Sequence, residues 1–89
     1  MTVKTFSLLQ YIEAALKVAE YEKDESGGIV VSVPGTSGFF AQGETHEDAR
    51  ENLKEVIENV VILRLQLGWE IPTIPGVVIK EEDVKAHAT

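Results

Sequence analysis

The chain has 89 residues, of which 44% are hydrophobic and 26% charged, and its formal net charge is −7. This length supports one domain with a single core, and the absence of cysteine excludes disulfides, thiolate metal sites and a cysteine nucleophile. The negative net charge and the scattered basic residues argue against direct binding to nucleic acid phosphates. The negative charge suits a basic protein partner instead.

The N-terminal segment contains a short amphipathic pattern. Apolar residues recur at intervals of three and four, as expected on one face of a helix: Phe6, Leu9, Ile12 and Leu16. The pattern predicts a helix over Phe6–Glu13, with Ser7 as its N-terminal cap. From Ala15 the sequence alternates loosely, which predicts a first strand that ends near Lys23.

The next segment predicts two more strands. The turn cluster "DESGG" is followed by "IVVSV", in which Ile29, Val31 and Val33 share one face and Val30 and Ser32 the other. Pro34 ends this strand because proline cannot donate to a sheet. After the turn "GTSG", the residues "FFAQGE" predict a short third strand. Short links between consecutive strands favour antiparallel pairing.

A long amphipathic helix follows. The Thr45 hydroxyl is placed to accept from the amide of Asp48, and the Asp48 carboxylate to reach back, as in a capping box. Gly68 is a typical helix-ending residue. The predicted core-facing stripe has helical spacing: Ala49, Leu53, Val56, Ile57, Val60, Leu63 and Leu67.

The C-terminal part contains an extended connector, "WEIPTIPG", because its two prolines disfavour regular structure. The residues "VVI" (77–79) predict a last short strand. We expect one domain over residues 1–80 and a polar tail over residues 81–89. No apolar run approaches the roughly 18 residues of a membrane span and no secretory signal pattern opens the chain, so we expect a cytoplasmic protein.

The stretch "PGTSGFFAQGETHEDAR" (34–50) resembles a reactive loop but predicts no site. Its glycines do not match a phosphate-binding fingerprint, and Glu44, Glu47 and Asp48 would repel an anion there. The glycines are explained by turn geometry, with Gly43 as a possible bulge. His46 and the neighbouring acids point in different directions on a first helical turn, and the second histidine, His87, is remote. We therefore expect no metal, cofactor or catalytic residue.

The outer face of the long helix is the best candidate site. Glu47, Glu51, Glu55 and Glu58 form a stripe opposite the apolar one. Ile62 and Leu65 continue this side as apolar residues, and Trp69 follows the helix end. An acidic stripe by itself is typical of a solvated face, whereas an apolar cluster with an aromatic indicates a contact surface. We interpret these seven residues as a candidate partner-binding surface. An alternative is that the N-terminal segment and the last strand cover its apolar part.

The sequence from Gly27 to Glu58 resembles the HicB-like antitoxin family. The resemblance rests on an ordered combination of residues and extends to the connector "LGWEIPTIP", so that it covers about residues 15–75. The matching residues are Pro34, Gly38, Gln42, Gly43, Glu44, Thr45, Glu47, Asp48, Ala49, Asn52, Leu53, Glu55 and Ile57. Phe39 departs from the pattern, because many members have a cysteine there, and "PGTSG" replaces a Pro-Asp-Leu-Pro-Gly turn.

The resemblance implies an α+β, partial ribonuclease-H-like fold: a three-stranded antiparallel sheet, a long crossing helix and a fourth short strand, here with a short N-terminal helix. It also implies a non-enzymatic antitoxin that masks a small basic HicA-type toxin, an enzyme that cleaves messenger RNA. Many members add a C-terminal DNA-binding module. Ten residues follow Ile79, too few for such a module, so we expect no direct binding to nucleic acid.

Two alternatives remain open. The first is a metal-dependent nuclease, which requires three or more carboxylates that converge on a ribonuclease-H-like sheet. The second is an orphan scaffold or sensor domain that forms oligomers. Self-association is also expected of the antitoxin-like protein, because Ile62, Leu65 and Trp69 offer an apolar contact surface.

Overall fold

The structure is a computed structural model that describes residues 2–83. Within this range the elements are β1 (Thr2–Thr5), α1 (Leu8–Val18), β2 (Glu20–Lys23), β3 (Ile29–Ser32), β4 (Phe40–Gly43), α2 (His46–Leu67) and β5 (Lys80–Asp83). The strands β2, β3 and β4 form an antiparallel sheet in chain order, and α2 packs across it. The predicted α+β fold is confirmed. The strands β1 and β5 form a separate antiparallel ribbon.

Helix α1 is longer than predicted. Ser7 caps it as expected, and its hydroxyl accepts a hydrogen bond from the amide of Gln10 at 3.2 Å. The helix continues to Val18, so the prediction of a strand from Ala15 was wrong. Ala15 and Leu16 extend the buried face that begins with Tyr11 and Ile12, and burial against the rest of the core outweighs the weak alternation in the sequence.

The alternating residues of β3 predicted which face of the sheet is buried, and the structure confirms that prediction. Ile29, Val31 and Val33 are buried, and Val31 lies opposite Tyr21 on β2 and Ala41 on β4. The two adjacent phenylalanines separate because successive side chains in an extended segment point to opposite faces. Phe39 is buried in the core, whereas Phe40 is 58% exposed on the outer face of the sheet.

Helix α2 has the predicted cap residues, Thr45 and Gly68, but the Asp48 carboxylate makes no return hydrogen bond among the described residues, and the buried line of the helix is narrower than predicted. The Thr45 hydroxyl accepts from the Asp48 amide at 3.1 Å, and Gly68 ends the helix in a left-handed conformation (φ 72°). The buried residues fall every four positions: Ala49, Leu53, Ile57 and Val61. Leu63 and Leu67 are about half exposed, at 52% and 49%, so their assignment to the core was wrong. Val56 and Val60 are half-buried at its margin.

The connector after α2 closes the core. Ile71 and Ile74 are buried, and the Tyr11 hydroxyl donates to the Pro72 carbonyl at 2.5 Å. The last strand lies at Lys80–Asp83 rather than at the predicted residues 77–79, because it pairs with β1, a strand that the sequence did not predict. Residues 81–83 of the expected tail thus belong to β5, and residues 84–89 lie outside the described residues.

Candidate partner-binding site

The stretch over residues 42–52 is a structural joint between β4 and α2. The Asn52 side-chain amide donates to the Gln42 carbonyl at 2.7 Å, which fastens the helix to the strand. Gly43 lies in regular register opposite Ile29, so it is not a bulge. A Cβ atom on Gly43 would lie 2.7 Å from the Asp48 carbonyl carbon and closer still to the Ala49 nitrogen. This position requires glycine because the helix backbone touches it.

His46 also has a structural contact. Its ring lies 5.3 Å from the ring of Tyr21 on β2, measured between centroids. Among the side chains that the structure describes, those of residues 4–80, no group of three or more histidine, aspartate or glutamate residues is arranged to hold a metal ion. His87 lies outside the described residues. The joint between β4 and α2 therefore supplies a well-fixed helix start.

The four glutamates of the candidate surface are exposed along one side of α2, opposite the buried line. We call Glu47, Glu51, Glu55 and Glu58 the acidic face. At the helical rise of 1.5 Å per residue, this face is about 16 Å long. Glu51 forms an exposed ion pair with Lys54 at 3.4 Å, which contributes little to stability. The other three glutamates have no ion pair within the described residues.

The three apolar residues of the candidate surface are exposed too, and they have further apolar neighbours. We define the apolar end as Ile62, Leu63, Leu65, Leu67 and Trp69, with exposed fractions of 39%, 52%, 42%, 49% and 56%. These residues lie beyond Val61, the last buried residue of α2. The described side chains, those of residues 4–80, leave each of the five at least 39% exposed and so do not bury them.

Arg64 is the exception in this part of the helix, because it turns inward. It is half-buried, and its guanidinium donates from Nη1 to the Glu70 carbonyl at 2.9 Å. Its Nε atom is buried without a hydrogen-bond partner in the described residues. The Arg64 carbonyl accepts from the Trp69 amide at 2.8 Å. These hydrogen bonds of Arg64 fix the turn that contains Trp69. Because the guanidinium points inward, it places no charge among the exposed apolar side chains.

A groove of about 380 Å³ lies beside the connector. Its apolar lining comes from Ile71, Ile74 and the segment 77–79, and its polar lining includes Lys4 and Glu70. The Lys4 ammonium donates to the Trp69 carbonyl at 3.4 Å. Lys4 of β1 thus contacts the turn that contains Trp69.

Sequence reasoning missed Leu63, Leu67 and Phe40 as surface residues. Leu63 and Leu67 have the spacing of the core-facing residues of α2. They are exposed because the buried part of the helix ends at Val61. One signal was available in the sequence: no acid occurs between Asn59 and Trp69, although the chain holds 15 acidic residues. A stretch of this length without an acid in such a chain indicates a surface that is not simply solvated.

Comparisons with known proteins identify the family. The model of the UPF0150-like family matches residues 10–72, and the chain belongs to this family. It is 51% identical over 66 residues to the UPF0150 protein Ta0767 of Thermoplasma acidophilum, an alignment that covers 74% of this chain and 88% of that protein.

Two solved structures share the fold. TTHA0281 from Thermus thermophilus superposes with a TM-score of 0.70 at 25% identity, over 89% of this chain and 95% of that chain. The N-terminal domain of the antitoxin HicB from Burkholderia pseudomallei superposes with a TM-score of 0.55 at 25% identity, over 76% and 95%. The resemblance to HicB-like antitoxins is thereby confirmed. Within residues 2–83, neither helix has the length and apolarity that a membrane span requires.

Proposed function

We propose that this protein is a non-enzymatic, antitoxin-like binding protein that masks a small basic HicA-type toxin in a type II toxin–antitoxin system. The observation that carries the proposal is the similarity to the N-terminal domain of the antitoxin HicB, which extends over 95% of that chain. The protein acts in the cytoplasm, where a messenger-RNA-cleaving toxin would meet its substrate.

The acidic face supports a basic partner. The net charge of −7 and the four exposed glutamates create a negative potential on one side of α2. Such a potential speeds association with a basic protein and orients it on approach. Masking requires no chemistry from this chain, because a protein that covers the basic, RNA-binding surface of the toxin excludes its substrate. The neighbouring Ile62, Leu65 and Trp69 complete the proposed contact surface with apolar area.

Neutralising two glutamates of the acidic face tests its role. We expect Glu55→Gln with Glu58→Gln to slow association with the small basic protein of the neighbouring gene by about tenfold at low salt. The difference from wild type should shrink as salt is added, because salt screens exposed charges. Stopped-flow mixing of the two purified proteins measures both quantities.

Glu13→Gln with Glu25→Gln is the matched control. These residues are exposed on α1 and in the β2–β3 turn, and the exchange changes the net charge by the same amount. Equal slowing by both pairs of substitutions would show that net charge alone acts, and would remove the acidic face from the proposal.

Further features belong to the same proposal. The protein forms homo-oligomers, uses no cofactor or metal, and does not bind nucleic acid directly, since its basic residues are few and scattered. We also propose that its fold is a partial form of the ribonuclease-H-like architecture. The chain forms one domain, which extends through β5 to Asp83.

The nuclease alternative has less support. It needs three or more carboxylates around one pocket, and no such group is found among the described side chains of residues 4–80. An orphan scaffold that forms oligomers would share the apolar end of α2 but would bind no toxin. Magnesium-dependent RNA cleavage by the purified chain would favour the first alternative, and self-association without any toxin partner would favour the second.

A further inference from the structure

The strand β3 shares its backbone hydrogen bonds between its two neighbours in a fixed order. In an antiparallel sheet, successive residues of a strand direct their N–H and C=O groups alternately to the strand on either side. The amide of Val33 donates to the Phe39 carbonyl at 3.0 Å, so the odd-numbered residues of β3 bond to β4. The amide of Asp24 donates to the Gly28 carbonyl at 2.7 Å, so the even-numbered residues of β3 bond to β2.

This order determines which backbone groups are free at the outer edge of β2. Glu20 and Glu22 lie opposite even-numbered residues of β3 and bond to them. Tyr21 and Lys23 therefore direct their N–H and C=O groups away from the sheet. These outward groups have no hydrogen-bond partner among the described residues, and three of the four side chains of β2 are exposed. The edge of β2 is open to a further strand.

The opposite edge of the sheet, formed by β4, is partly closed. Phe40 and Gln42 are the residues whose backbone groups point outward there. The Asn52 side-chain amide already occupies the Gln42 carbonyl at 2.7 Å. A strand added to β4 would displace this bond, which fastens α2 to the sheet, whereas a strand added to β2 displaces nothing in the described part of the chain.

We infer that the edge of β2 accepts an extended basic segment of the partner, which joins the sheet as an added strand. The inference rests on the proposed function, which supplies the basic partner. Charge selects this occupant, because residues 20–25 contain four acids and one base: Glu20, Glu22, Asp24, Glu25 and Lys23. A second copy of this chain would bring the same acids side by side, which is unfavourable. Main-chain hydrogen bonds supply the affinity of an added strand, and alternate side chains its specificity.

The side chains of β2 define the segment that fits. The Tyr21 ring lies against His46 on the side of the sheet that α2 covers. Glu20 and Glu22 point to the opposite face, because side chains alternate along a strand. Cross-strand neighbours on one face are close enough for ion pairs, so lysine or arginine fits beside each glutamate. The residue between the two bases faces the half-buried Tyr21, where an apolar side chain fits. The segment is thus basic, apolar and basic in alternation.

The edge of β2 lies beside the contact surface proposed on α2. Tyr21 contacts His46, the first residue of α2, and the acidic face begins at the next residue, Glu47. A partner whose strand lies along β2 is therefore adjacent to the start of the acidic face. The contact surface proposed above gains a main-chain component and loses none of its residues.

Amide hydrogen exchange, followed by NMR in wild-type protein, tests the added strand without any substitution. In the free protein the amides of Tyr21 and Lys23 should exchange faster than that of Glu22, which is bonded to β3. Saturation with the small basic protein of the neighbouring gene should slow the exchange of Tyr21 and Lys23 by about tenfold or more. Rapid exchange of both amides within a formed complex would overturn the inference and leave the proposed function in place. Protection that appears at high protein concentration without the partner would assign the edge to a second copy, and would also overturn it.

Lys23→Pro tests the same edge by substitution, and Lys23→Ala is its matched control. Both remove the same charge, but only proline removes the outward N–H and places a ring at the edge. Proline is tolerated on an edge strand where its N–H would face solvent, so the β2–β3 pairing should persist, and urea unfolding checks this. We expect Lys23→Pro to bind the partner about tenfold or more weakly than Lys23→Ala does. Equal affinity of the two folded variants would contradict the inference.

A synthetic peptide separates the inference from the proposed function. Acetyl-Lys-Val-Arg-Val-Lys-amide has the required alternation, and acetyl-Lys-Arg-Lys-Val-Val-amide has the same composition without it. At millimolar concentration the first peptide should slow the exchange of the Tyr21 and Lys23 amides, and the second should not. If the first peptide protects these amides while the neighbouring basic protein does not bind, the proposed function fails and the open edge stands. If neither the peptide nor the protein protects them, the inference fails as well.

Discussion

Gly43 is the residue that explains why the stretch "QGETHED" resembles a site. It lies where β4 touches the first turn of α2, and any side chain there would collide with the backbone of Asp48 and Ala49. Thr45 caps the same turn, and Asn52 binds the Gln42 carbonyl one turn later. Each of these residues therefore has a packing or hydrogen-bonding role at the joint between β4 and α2.

Replacing Gly43 by alanine should destabilise the protein by about 1 to 3 kcal/mol, the usual cost of forcing extra atoms into a packed site. The clash is with main-chain atoms, so no side-chain rotation relieves it. Urea unfolding measures the change in free energy. Gln42→Ala, on the exposed neighbour, keeps the carbonyl that Asn52 binds and should stay within about 0.5 kcal/mol of wild type. Equal stability of both variants would show that the joint is not tightly packed.

The helix caps could be predicted from single residues and their near neighbours in the sequence. Ser7, Thr45 and Gly68 act on backbone groups within four positions, so their roles are encoded locally. The exposure of Leu63 and Leu67 was not predictable in this way. Both have the helical spacing of core residues, and their burial depends on where the sheet beneath α2 ends.

Helix α1 was predicted too short, and it is held in place by a contact with the connector, which has no regular secondary structure, as predicted. Tyr11 on α1 is fully buried between Phe6 and Phe39, and its hydroxyl donates to the Pro72 carbonyl. Burial raises the pKa of Tyr11 to about 12, although the nearby Arg64 opposes the rise. The neutral phenol is thus the form that the folded protein requires.

Stability should therefore fall as pH rises from 10 to 12. The folded-state pKa lies above the ordinary value of 10.0, so the contribution of Tyr11 is complete below pH 10 and is lost as the pH approaches 12. Tyr11→Phe removes this titration, together with a buried hydrogen bond worth about 1 to 3 kcal/mol. We expect wild type to be more stable than Tyr11→Phe at pH 8, with a difference that narrows above pH 10.

Denaturant unfolding at several pH values measures this difference, and absorbance at 295 nm follows the tyrosine ionisation itself. A difference that stays constant up to pH 12 would mean that the Tyr11 hydroxyl is not buried as described. The contact also explains the wrong boundary of α1. Ala15, Leu16 and Lys17 favour a helix, and Ala15 and Leu16 complete the buried face that Tyr11 begins.

The pairing of β1 with β5 is a second feature of how whole elements are arranged. It joins Thr2–Thr5 to Lys80–Asp83, about as far apart in the sequence as the chain allows. β5 (KEED) has no strand pattern, and β1 (TVKT) has three β-branched residues but is too short to predict a strand with its partner. A contact of this sequence separation has no local signature, so residue patterns could not reveal it. The three-stranded sheet was predictable because its links are short and β3 is rich in valine and isoleucine.

At the scale of the whole molecule, charge and apolar surface are separated along α2. The acidic face occupies the part of the helix that covers the sheet, and the apolar end extends past the core. The sequence predicted the acidic face and part of the apolar end, since both follow from helical spacing. It could not show that the apolar end is uncovered, because that depends on how the connector folds back onto α1.

The most direct test of the account is inhibition of RNA cleavage. The purified small basic toxin of the neighbouring gene is titrated with this protein, and cleavage of a messenger RNA substrate is followed. The account predicts that cleavage falls in proportion to added chain and stops at one chain per toxin molecule. Undiminished cleavage in the presence of excess folded protein would contradict it.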